Sequence, residues 1–185
     1  MTAMLVLYAR RTGQTLGAAT TAVPGDVPSL DGLVSVQVSV PIPESDGAIL
    51  VAALPPLSPR PLTLKREDVS LALLEAEFDD PLQVFAWRVV VETAPDGTRK
   101  PRLDRLATGA VTATRTATQL TLVVPRLGTT PELAFEVRNV AGLLLESRLV
   151  YADEKPKTQE VTVPDEAGLV VMVEGYPPVV AKDVP

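Results

Sequence analysis

The chain contains no histidine and no cysteine. Without histidine it lacks the usual general base near neutral pH, the imidazole partner of serine and cysteine nucleophiles, and the commonest transition-metal ligand. Without cysteine it has no thiol nucleophile, no iron–sulfur ligand, no thiolate for structural zinc and no disulfide. A metal site would have to be built from carboxylates, which suit Ca²⁺, Mg²⁺ or Mn²⁺. Aromatic residues make up only 4% of the chain, so there are few rings on which a sugar or a base could stack. No G-x-S-x-G elbow, phosphate-binding loop or S-x-x-K motif occurs. These absences lead us to expect no enzyme and no cofactor.

Charge and hydropathy narrow the partners. Lys and Arg number 17 against 23 Asp and Glu, a net charge of −6 whose field repels nucleic acid and anionic lipid. The longest apolar stretch, AILVAALPPL at residues 48–57, is broken by prolines and falls far short of the roughly 20 residues of a spanning helix. We therefore expect no nucleic-acid partner and no membrane. The apolar run at residues 3–9 precedes Arg10 and Arg11, the reverse of the order in a secretory leader, so no signal peptide is expected. The single asparagine, Asn139, is followed by Val140 and Ala141 and forms no glycosylation sequon. The expected location is the cytoplasm or an assembled particle.

What is present reads as β structure. Hydrophobic residues make up 46% of the 185, mostly Val, Leu and Ala, enough for an aliphatic core. Eighteen prolines fall mainly between apolar runs, where they mark strand ends. LVSVQVSVPI at residues 33–42 alternates valine with polar residues, setting Val34, Val36, Val38 and Val40 on one face. LQVFAWRVVVET, TQLTLVVP, LAFEVRNV, LLLESRLVY, TQEVTVP and GLVVMVEGY share strand length and Val/Thr/Leu richness. RTGQ, APDGT and VAGL supply glycine where a hairpin turn needs it. The fold class expected is all-β, a mainly antiparallel sandwich or barrel-like structure.

Residues 66–78 fit either a helix of about three turns or a strand, since Leu71, Leu73 and Leu74 satisfy both periods. With Asp68 as a candidate N-cap and Pro81 beyond, the expectation is a short helix. Residues 1–185 are read as one β-rich domain. The alternative is a split at the Pro-rich residues 54–62, giving units 1–54 and 62–176 with an extended arm at 177–185.

Three groups could carry function. Arg99, Lys100, Arg102 and Arg105 follow the Asp96-Gly97 turn, and on a hairpin they would meet an acidic protein surface or guard an edge strand. Pro177 and Pro178 favour an extended course for the C-terminal arm, whose Val179, Val180 and Val184 need a cover, either the chain's own body or a neighbour's sheet edge. Glu75, Glu77 and Asp79 would share one face of an extended segment and are a weak divalent-cation candidate; a solvated segment end is the plainer reading. Trp87 and Phe85 are read as core. The functional expectation is a non-catalytic structural or adaptor subunit of a larger repeating assembly, such as a phage-like tail or injection particle, a capsid accessory layer or a filament. Its partners would be copies of itself or other assembly subunits. The alternative is a β-sandwich module that binds carbohydrate or another small ligand.

Overall fold

The computed structural model describes residues 3–21, 28–43, 57–75, 78, 81–107, 111–125, 132–151 and 157–185. Among them the regular structure is β-strand with two short 3-10 turns, which bears out the all-β expectation. The strands are β1 (Ala3–Ala9), β2 (Thr15–Thr21), β3 (Ser35–Pro43), β4 (Leu57–Lys65), β5 (Val69–Glu75), β6 (Trp87–Thr93) and β7 (Arg99–Arg105). There follow β8 (Thr112–Thr116), β9 (Gln119–Val124), β10 (Glu132–Arg138), β11 (Leu144–Tyr151), β12 (Lys157–Thr162), β13 (Val170–Val173), β14 (Val179–Val180) and β15 (Lys182–Asp183).

The expected helix at 66–78 does not form. Arg66–Asp68 make one 3-10 turn, and β5 then pairs antiparallel with β1 from Val69↔Ala9 to Glu75↔Ala3. Helix propensity is a weak prior of a few tenths of a kcal/mol per residue. Here it loses to burial, because Ala72 and Leu74 enter the core on one face while Val69 enters on the other. The strand expected to start near residue 82 likewise starts at Trp87, after a 3-10 turn over Pro81–Ala86.

The layers follow from two strands that are buried on both faces. In β1, Met4, Val6 and Tyr8 enter a cluster with Val84 and Val89, while Leu7 and Ala9 face the opposite way into a second cluster. In β13, Val170 and Met172 join that second cluster, and Val171 and Val173 point into a third. Burial on both sides explains why AMLVLYA and VVMV are continuous apolar runs rather than alternating ones. Strand order is β2-β1-β5 in one sheet, β11-β10-β13-β14 in the next and β12-β9-β8-β15 in the last. The last two share the largest cluster and form a sandwich. The β3-β4 ribbon closes the middle cluster through Val38, Val40, Ile42, Leu62 and Leu64. The β6-β7 ribbon covers the other face of β1 through Val89, Val91 and Leu103.

Turn chemistry fixes where these layers touch. Gly13, at φ +73, closes the β1-β2 turn, and its carbonyl accepts the Val89 N–H at 2.8 Å. A Cβ there would overlap the Val89 carbonyl oxygen. Gly97 has a similar φ of +81 in the β6-β7 turn but open space around it. Gly97→Ala is expected to cost about 1–2 kcal/mol from the left-handed backbone alone. Gly13→Ala should cost at least about 1 kcal/mol more, because the β6 backbone must also move. Urea denaturation of the two variants gives the difference directly.

Candidate functional site

A cluster of four charges lies where the β2-β1-β5 sheet meets β10. Glu136 and Arg138 are fully buried on the face of β10 opposite its apolar residues, and Asp68 is 4% exposed. Arg138 holds Glu136 at 3.1 Å and Asp68 at 3.3 Å, and donates to the Gly142 carbonyl at 2.9 Å. Arg11, from the β1-β2 turn, pairs with Asp68 and lies 3.9 Å from Glu136. Burial pushes the Asp68 carboxyl up, but hydrogen bonds and charge from Arg11 and Arg138 outweigh it and hold the group below its ordinary value. Burial pushes Glu136 up, and the two arginines offset this only in part. Every charge is paired within the chain, so the cluster ties sheets together and offers no open coordination position.

The C-terminal arm is bound by its own chain. Pro177 and Pro178 are buried, and Val179 and Val180 pair with Val171 and Val170 as β14. The Ala181 N–H donates to the Leu169 carbonyl at 2.8 Å, and the chain then changes sheets. Lys182 and Asp183 run parallel to Thr114 and Arg115 as β15. Arg115 anchors this crossing, donating to Asp183, to Asp165 and to the Ala117 carbonyl, each at 2.7 Å. Val184 is 45% exposed.

The basic segment forms β7, but its cations are spread along the strand. Arg99 pairs in register with Thr93 beside the turn, while Arg105 lies opposite Trp87 at the far end. The turn itself is as expected: the Thr98 N–H donates to Asp96 Oδ1 at 2.9 Å, which helps hold that carboxyl below its ordinary value. Arg102 pairs with Glu92 at 2.6 Å and Asp104 at 3.4 Å. Arg88 bridges Asp104 at 3.2 Å and Glu174 at 2.5 Å, linking the ribbon to the chain beyond β13.

Lys100 and Arg102 line a hollow of about 640 Å³ together with Pro101, Leu103 and, from β5, Leu73, Leu74 and Glu75. Phe78 and Trp87 form its aromatic wall, their rings 6.3 Å apart and tilted by 57°. Trp87 and Phe85, expected in the core, are half-buried: Phe85 packs against the cluster of Val84 and Val89, and Trp87 packs against Ala86 and Leu106 while also lining the hollow. A second hollow of about 300 Å³ adjoins at Pro101 and is lined by Ser70, Leu71 and Ala72 with Arg10 and Arg99. Of the weak acidic candidate, Glu75 is exposed at the end of β5; Glu77 and Asp79 lie outside the described residues. Among the described residues, no three acidic side chains converge as a metal site would require, and no helix is long and apolar enough to cross a membrane. The chain matches no protein-family model, no curated protein and no solved structure.

Sequence reasoning missed the four-charge cluster and the groove. The cluster had one available signal: VVMV requires cover on both sides, so the polar face of a neighbouring strand such as LAFEVR would be covered too. Asp68→Asn should cost about 3–5 kcal/mol at pH 7, because Arg138 keeps a buried charge with one partner fewer. Asp68 is depressed in the folded protein, so its contribution is present above its ordinary value of 3.8 and lost as pH falls through the folded value. The stability gap between wild type and variant should therefore narrow in denaturation at pH 3 relative to pH 7. Deleting residues 177–185 should lower the denaturation midpoint, since β13 and β8 each lose a paired neighbour and Arg115 loses Asp183.

Proposed function

We propose that the protein is a non-catalytic structural or adaptor subunit that works by binding other protein chains, either copies of itself or companion subunits of a repeating assembly. The observation that carries this reading is a concentration of exposed apolar side chains in two turns. Val34 is 88% exposed, Val140 60%, and Leu33 and Leu143 about half. These four flank one stretch of backbone: the Arg66 N–H donates to the Val34 carbonyl at 3.0 Å, and the Thr63 N–H to the Ala141 carbonyl at 3.2 Å. Val34 stands on the valine face of the 33–42 pattern, yet it lies ahead of β3 and points to solvent rather than to the core. Apolar groups gathered at a surface favour a protein contact that removes them from water. The acidic body supports the reading by keeping unassembled copies apart. Phage-like tails, capsid accessory layers and filaments are the kinds of assembly that use such subunits.

The alternative, a carbohydrate-binding module, draws support from the half-buried Trp87 and Phe78 in the larger hollow. Light scattering across a concentration range separates the two. The full chain should associate, and Val34→Lys with Val140→Lys should shift it to monomer while leaving the melting temperature within about 2 °C, as expected for exposed positions. A chain that stays monomeric at every concentration and binds a sugar saturably, with Trp87 fluorescence reporting it, overturns the proposal.

A further inference from the structure

Consecutive residues of a strand point to opposite faces of a sheet, so a hollow lined by an unbroken run of them meets the strand at its edge. The two adjoining hollows are lined by every residue of β5 from Ser70 to Glu75, and the larger one by four consecutive residues of β7 from Lys100 to Leu103. Sheet order agrees: among the described residues β5 pairs only with β1, and β7 only with β6. The groove therefore presents two strand edges, each carrying backbone groups with no ladder partner among the described residues. Six residues of edge span about 20 Å, enough for a short extended segment.

The lining states the chemistry of that segment. Four cations, Arg10, Arg99, Lys100 and Arg102, line it, the last already paired with Glu92 and Asp104, and Glu75 is the one carboxylate among the described lining residues of a chain whose net charge is −6. Arg99 and Lys100 form no ion pair among the described residues, although Glu92 lies directly across the ladder from Lys100. Leu73, Phe78, Trp87 and Leu103 give the groove an apolar lining at its wider end. Pro101 has no N–H, so β5 is the edge better able to continue a ladder.

We propose that β5 is a strand-addition site for an extended protein segment in which acidic and apolar residues alternate. One set of side chains meets Lys100 and Arg99, and the other fills the hollow beside Trp87 and Phe78. Backbone hydrogen bonds to β5 supply affinity, and the charges set which segments are accepted. The inference rests on the reading of the chain as a protein-binding subunit and names the partner's chemistry.

The test uses the full chain and a labelled, acetylated octapeptide of alternating Glu and Val. Its comparators are the Lys and Val counterpart and a version with alternate amides N-methylated. Fluorescence anisotropy should show saturable binding of the Glu peptide, with the Lys and N-methylated versions at least tenfold weaker. Amide NMR shifts should be confined to residues 70–75 and 99–103. The double variant Arg99→Gln with Lys100→Gln should lower affinity at least tenfold with the melting temperature within about 2 °C, since both residues are exposed and neither substitution sets a like charge opposite Glu92. Absence of saturable binding at millimolar peptide, equal binding of the N-methylated version, or shifts centred elsewhere would each overturn the site. If the site fails while the chain still self-associates in light scattering, the assembly reading stands without it. If the peptide binds a chain that never associates with another, the site stands and the assembly reading falls.

Discussion

The buried pairing of Arg138 with Glu136 and Asp68 sets how the two halves of the molecule meet. Apolar packing alone is tolerant: leucines and valines on facing sheets can slide and still bury similar area. Charges taken out of water are not tolerant, because a displacement that separates them leaves each without solvent or partner. Asp68 belongs to the turn before β5, Arg11 to the turn after β1, and Glu136 and Arg138 to β10. Only one relative placement of the first sheet and β10 satisfies all four. The hydrogen bond from Arg138 to Gly142 extends the same constraint to the β10-β11 turn, which itself holds β4 through Ala141 and Thr63.

Much of this architecture was legible from alternation and turn residues. Val38 and Val40 are buried as their spacing implied, and RTGQ, APDGT and VAGL all close hairpins. The misreadings have a common origin. Local pattern reports which residues prefer burial but not what arrives to cover them. Leu71, Leu73 and Leu74 satisfied helical and extended spacing alike, and the decision came from β1, some 60 positions earlier in the chain. Glu136 and Arg138 occupy the polar positions of an alternating strand, and they are interior because Asp68 and Arg11 of the first sheet's turns lie against them.

The candidate site was legible in its parts and not in its arrangement. The basic run containing Lys100 and Arg102 was visible, and so was the aromatic at 87. Their meeting with β5 depends on a ribbon folding over a sheet, a relation between segments about 30 positions apart. The C-terminal arm shows the same limit. Its prolines and valines implied an extended segment in need of cover, and the cover is β13 on one side and β8 on the other. That crossing joins both sheets of the sandwich through one short length of chain, with Arg115 as its anchor.

The placement of β13 has a consequence for the order in which the protein comes into being. Val170 and Met172 complete the middle cluster, whose other buried members come from residues 9 to 69. Ribosomes release the amino-terminal part first, at about 5–20 residues per second. For several seconds the strands of that part are out of the tunnel with one wall of their core still missing. The waiting surface is aliphatic, rich in valine and leucine, and able to join the same surface on another nascent chain. Expression yield should therefore depend on how fast translation runs through residues 69 to 172, and on the chaperones that shield the early strands until the late one arrives.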